Sequence, residues 1–294
     1  MTEYVPDKGH FLNLPLPLGE GGFSIAIADL CVRFEGLDTG LLEAGRSRYR
    51  PFLCADPPLH TVALYPGAPS YLNPAADRFL RLVEQPLEGG RLYMSTDFAG
   101  FWPAGSSRGT LRISSPEDGA ASLRAMENYL RWVLADLALD HDGFILHAAG
   151  LVRGGCAYVF FGPSGAGKST AAALSTECAL LSDDLVLLVH RDGQWRVATT
   201  PFRGSLEQGT KTPGLFPLAR ACRLVQGSEH SLESLEAAEG AASLLASCPF
   251  VFDPALRHER LVPLVTDCSR QVPVGRLTFA NDPGFWSVFE ETRR

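Results

Sequence analysis

The residues best suited to chemistry lie together at Gly162-Pro163-Ser164-Gly165-Ala166-Gly167-Lys168-Ser169-Thr170. Gly162 to Ser169 has the spacing G-x-x-x-x-G-K-[ST], in which glycines let successive backbone N–H groups turn inward toward phosphate oxygens. Lys168 would bring a full positive charge to the outer phosphates, and Ser169 a hydroxyl to magnesium. The apolar run AYVFF before this stretch reads as a buried strand. Ala171 to Leu174 after it reads as a helix whose positive end favours an anion. A glycine-rich turn arising by chance is the plain alternative, and the flanking strand and helix count against it. ATP, with Mg2+, is the expected ligand.

Three further groups fit around such a site. In LLSDDLVLL an apolar strand delivers Asp183 and Asp184. One carboxylate could hold magnesium while the other accepts a proton from an attacking hydroxyl. Neighbours on a strand point to opposite faces, so the two should do different jobs, and which does which stays open. A cap at a strand end is the alternative. His147, in ILHAAG, would lie beside the strand that enters the loop if ILHAAGLVRGGCAYVFFG folds as strand, turn and strand; otherwise it is a hydrogen-bonded core histidine. Arg203, in TTPFRGSL, suits charge that builds on a transferred phosphate, or else a surface ion pair.

The elements that must position these groups differ along the chain. The first hundred or so residues read as a small mixed or antiparallel β layer, with FSIAIADLCVRFE, LHTVALYPG, GRLYMSTDF and TLRIS as strands between Pro- and Gly-rich stretches. A helix is expected to start at Ser115 and Pro116, with Leu123, Met126, Leu130, Val133 and Leu137 on its buried face. From Gly143 onward strands and helices alternate.

Composition limits the function. With a net charge of -7, binding to nucleic acid through phosphate contacts is not expected. Seven scattered cysteines without a CxxC pair point to free thiols in a reducing cytosol rather than to zinc. The N-terminus lacks signal-peptide character, and no apolar run is long enough to span a membrane. A cytoplasmic protein with no membrane partner is the expectation.

LHAAGLV, FFGPSGAGKST and LLSDDLVLL, in this order, resemble the HPr kinase/phosphorylase-like family, which shares its P-loop domain with ATP-dependent phosphoenolpyruvate carboxykinase. TPFRG and VPVGRLTFANDPGFW are similar to a divergent, HPr-kinase-related branch. The resemblance runs from about Phe144 to the C-terminus. It implies an α/β fold: a P-loop nucleotide-binding domain of this type over residues 115–294, preceded by a β-rich α+β region, 1–114, of unassigned role. It also implies phosphoryl transfer from ATP to a serine or other hydroxyl of a peptide, protein or small molecule. Lys168 would then hold phosphates, Ser169 with Asp183 or Asp184 would hold magnesium, and one of the two acids would be the base. His147 would line the site and Arg203 would touch phosphate. A homo-oligomer is compatible with the resemblance.

Two departures stand out. The true kinase/phosphorylases carry Glu where this chain has Thr170, and TPFRGSL lacks an acid after its Gly, although Glu207 is near. Phosphorylase activity and HPr as substrate are therefore not carried over. The alternative reading is a nucleotide-binding regulator with little catalysis, whose N-terminal region binds a partner.

Overall fold

The computed structural model describes residues 4–73, 82–204, 206, 211–249 and 254–291. Its contacts divide the chain into two units, Met1–Leu134 and Ala135–Arg294.

The first unit holds α1 (Gly9–Leu12), β1 (Gly21–Ile27), β2 (Leu30–Leu37), α2 (Thr39–Arg48), β3 (Leu53–Cys54), β4 (His60–Pro66), β5 (Val83–Leu87), β6 (Gly90–Met94), β7 (Phe98–Pro103), β8 (Arg108–Ile113) and the start of α3 (Gly119–Asp140). The strands form one eight-stranded sheet in the order β3-β1-β2-β4-β8-β7-β6-β5. β2, β4 and β8 run parallel and the other pairings are antiparallel. The layer is thus mixed and larger than the sequence suggested. FSIAIADLCVRFE is not one strand but a hairpin that turns at Ala28, where φ is 54°.

α3 starts later than the sequence reading placed it. The Asp118 carboxylate accepts the N–H groups of Ala120 (2.9 Å) and Ala121 (3.0 Å), so it satisfies first-turn donors that have no partner within the helix. Ser115 instead closes the preceding turn through its carbonyl. Met126, Leu130, Val133 and Leu137 are buried as expected, and Tyr129 and Trp132 widen that face.

The second unit contains β9 (Gly143–Arg153), β10 (Cys156–Phe161), α4 (Lys168–Leu174), β11 (Ala179–Ser182), β12 (Leu185–Arg191), β13 (Gln194–Ala198), β14 (Leu215–Gln226), β15 (Ser231–Ser234), α5 (Ala237–Leu245), α6 (Pro254–Gln271), β16 (Val274–Phe279) and α7 (Ser287–Glu291). The long strands β9 and β14 change partners midway. Gly143–His147 of β9 pairs with β12, and Ala148–Arg153 pairs with β10. The start of β14 pairs with β13, and its later part lies parallel to β10 and β16. These pairings close a ring of β10, β9, β12, β13 and β14.

β10 is covered on both faces, which explains its unbroken apolar sequence. Ala157, Val159 and Phe161 pack toward Leu244 of α5 and Leu261 and Val265 of α6. Tyr158 and Phe160 pack toward Ala171 and Ala172 of α4 and toward Phe285, Trp286 and Phe289 near the C-terminus. The Trp286 indole N–H donates to Ser175 Oγ (2.9 Å), which ties that C-terminal segment to the end of α4. The fold is mixed α/β with two large sheets. No helix among the described residues is long and apolar enough to cross a membrane.

Candidate functional site

The glycine-rich stretch forms the connection from β10 to α4. Its backbone is left-handed at Gly165 (φ 80°) and Gly167 (φ 101°), conformations that disfavour side chains. Gly167 is also sterically fixed, since a Cβ there would lie 2.7 Å from the Phe279 ring. The loop crown, Pro163 to Gly165, is exposed. Gln226, at the end of β14, donates to the Gly165 carbonyl (2.7 Å) and supports that crown.

Lys168 folds back beneath the crown, with only 8% of its surface exposed. Its ammonium donates to the carbonyls of Gly162 (2.9 Å) and Pro163 (3.1 Å). Burial holds its pKa below the usual lysine value, and the nearby Asp184 carboxylate opposes that shift. Ser169 is half-buried in the first turn of α4, and Thr170 beside it is exposed.

The two acids do not sit on a strand. They occupy the break between β11 and β12, and this break separates their roles more sharply than strand alternation would. Asp183 is buried. Its two oxygens accept the backbone N–H groups of Gly204 and Leu206, each at 2.9 Å. Gly204 allows this approach, because a Cβ there would fall 2.7 Å from Asp183 Oδ2. Asp184 is half-buried and faces the charge of Lys168. Its carbonyl accepts the Ala148 N–H (3.0 Å), which sets it beside His147 on β9.

His147 is exposed. It lines a cavity of about 590 Å³ together with Gly162, Pro163, Ser164, Arg223 and the end of α5. His147 and the loop share this cavity, whereas Lys168 and Asp184, linked by charge, are not among the residues lining it. Arg203 is exposed on the segment that Asp183 clamps and is not among the residues lining this cavity. Glu207 lies outside the described residues. No cluster of three His, Cys, Asp or Glu side chains that could hold a metal occurs among the described residues. All seven cysteines are free thiols.

A family profile described as SynChlorMet cassette protein ScmC matches residues 112–292, more than half of the chain. The chain belongs to the ScmC family. No curated protein matches it. Among solved structures, the HPr(Ser) kinase/phosphatase from Coxiella burnetii matches with a TM-score of 0.30 and 13% identity, over 51% of this chain and 90% of that one. The chemistry of the site in this ScmC-family chain therefore rests on its own residues.

Two of those residues escaped the sequence reading: Arg223 and Gln226 on β14. They come to the loop because β14 lies parallel to β10, with Arg223 opposite Phe161. The one local signal was an arginine interrupting the apolar run of ACRLVQG.

Proposed function

We propose that the chain binds ATP with magnesium at the loop 162–168 and passes the γ-phosphoryl group to a hydroxyl of a peptide, protein or small molecule. One observation carries the reading: a buried Lys168 ammonium, held by loop carbonyls and attracted by Asp184, beneath an exposed crown in a loop whose Gly165 and Gly167 are left-handed. A bound triphosphate would replace those carbonyls as the partner of the ammonium.

The donor set suits magnesium, which keeps several waters and takes few protein ligands. Ser169 offers a hydroxyl and Asp184 a carboxylate, whereas both oxygens of Asp183 are already engaged by amides. When bound, the ion would neutralise charge on the phosphate oxygens. Asp184 is the better candidate base. It would accept the hydroxyl proton as the acceptor oxygen bonds to the γ-phosphorus and the bond to the β–γ bridging oxygen breaks, with ADP leaving. Asp183 is a positioning residue that holds the segment bearing Arg203.

The same engagement of Asp183 favours a second reading. With Asp183 committed to amides, metal and base would both fall to Asp184, and the chain would act as a nucleotide-binding regulator with little transfer. Labelled ATP and candidate hydroxyl acceptors separate the two. Lys168→Ala should lose nucleotide binding. Asp184→Asn should keep binding and lose transfer by roughly 10²- to 10⁴-fold, the usual share of a general base. Transfer that survives in both variants would sink the kinase reading. A wild-type chain that binds ATP yet labels no acceptor would leave the regulator.

A further inference from the structure

The cavity of about 590 Å³ beside the loop is large enough for a small ligand or a short peptide segment. One wall is the start of the loop and His147; the other is the end of α5, with Ser243, and the residues just after it, with Ser247. Two charged residues of opposite sign reach it. Glu239 pairs with Arg276 (3.0 Å), which it shares with Glu233 (3.1 Å). Arg223 is exposed, and among the described residues no acid pairs with it. Its position is set by a strand rather than by the loop, because it lies in register with Phe161, the last residue before the loop begins. A guanidinium carried by this strand position onto a cavity beside the glycine-rich loop suits a carboxylate, which it can bind with two parallel N–H donors.

On the kinase reading above, phosphates are served by the loop and by Lys168 beneath it. We infer that the cavity takes the phosphoryl acceptor, and that Arg223 selects acceptors carrying a carboxylate close to the accepting hydroxyl. A small hydroxy acid and an acidic serine peptide share that chemistry. His147, on the wall between the cavity and Asp184, would sit beside the accepting hydroxyl.

Two probe pairs, each matched except for charge, test this: capped Glu-Ser-Glu against Gln-Ser-Gln, and glycerate against glycerol. Each is titrated into the full chain, with and without Mg-ADP, and followed by NMR. In at least one pair the anion should bind roughly tenfold tighter, about the effect of one charge-assisted hydrogen bond. Arg223→Gln should bring that ratio to about one while leaving the thermal unfolding midpoint unchanged. Equal affinities within both pairs for the wild type overturn the inference. So does an anion preference that persists in Arg223→Gln. If Arg223→Gln instead weakens Mg-ATP binding and leaves the preference intact, the arginine serves the nucleotide and the inference is wrong. Failure of the wild type to bind Mg-ATP would sink the kinase reading itself; the titrations without nucleotide would still read the cavity.

Discussion

Two segments of the second unit are built alike and yet differ in what they can do. The loop 162–168 and the stretch around 200–206 each rest on a buried lysine, Lys168 or Lys211, with 8% and 7% of the residue exposed. Each ammonium donates to two backbone carbonyls, those of Gly162 and Pro163 or those of Thr200 and Phe202. The second stretch is fastened from other directions as well. Ser182 Oγ donates to the Phe202 carbonyl (3.1 Å), and Asp183 takes the N–H groups of Gly204 and Leu206. The first keeps its crown exposed, and its lysine faces a carboxylate. A buried lysine on carbonyls is thus a structural device in both places. The open crown is what makes one of them a candidate site.

The largest expected contrast follows from that difference. Lys211→Met leaves two carbonyls of a buried stretch without their donor and should destabilise the chain by about 2–3 kcal/mol. Lys168→Met should cost less than about 1 kcal/mol, because water can reach the exposed side of the loop and a buried charge is removed. Nucleotide binding should be lost only in the Lys168 variant. Urea unfolding of the two variants checks the first statement, and equal losses of stability would break the comparison.

The adjacent acids sharpen it at a smaller scale. Asp183→Asn replaces a charged acceptor of two amides with a group that can accept at one oxygen only. A loss of about 1.5–3 kcal/mol is expected, within the usual worth of hydrogen bonds to charged groups. Asp184→Asn should lower the unfolding midpoint less than Asp183→Asn does, while transfer fails. Denaturant midpoints and transfer rates measured on the same two proteins decide this. A stable Asp183→Asn chain would mean the clamp does not hold the segment.

How far the sequence could anticipate this depended on the range of the interaction. The turn at Gly162 to Ser169 was readable because it is a local arrangement, set by consecutive glycine-rich residues between a strand and a helix. The buried strand β10 was readable for the same reason. The division of labour at Ser182, Asp183 and Asp184 was not, since it depends on a segment some twenty residues later folding back onto Asp183. Arg223 and Gln226 were invisible because a parallel pairing of β10 with β14 leaves no trace in local spacing. The start of α3 was misplaced by a choice between two good caps: Ser115 and Pro116 suit a first turn, but Asp118 reaches the amides.

The smallest effect expected is a proton. Folding lowers the pKa of Lys168 below its ordinary 10.5, chiefly by burial. Below the folded value both states hold the proton, and the cost of burying the ammonium is fully felt. Between the folded value and 10.5 the unfolded chain binds more protons than the folded one, so stability rises with pH across that window. A triphosphate beside the ammonium favours its charged form and pushes the pKa back up. Binding of Mg-ATP within the window should therefore take up a fraction of a proton, and affinity should fall as pH rises. Calorimetric titrations in two buffers of different ionisation enthalpy measure that uptake. Asp184→Asn should open the window further downward, since the Asp184 charge is what opposes the shift. A Lys168→Arg chain that still binds nucleotide should lose the uptake, because arginine stays protonated throughout. Uptake of the same size in that variant would place the titrating group elsewhere and would remove Lys168 from the account of the phosphate site.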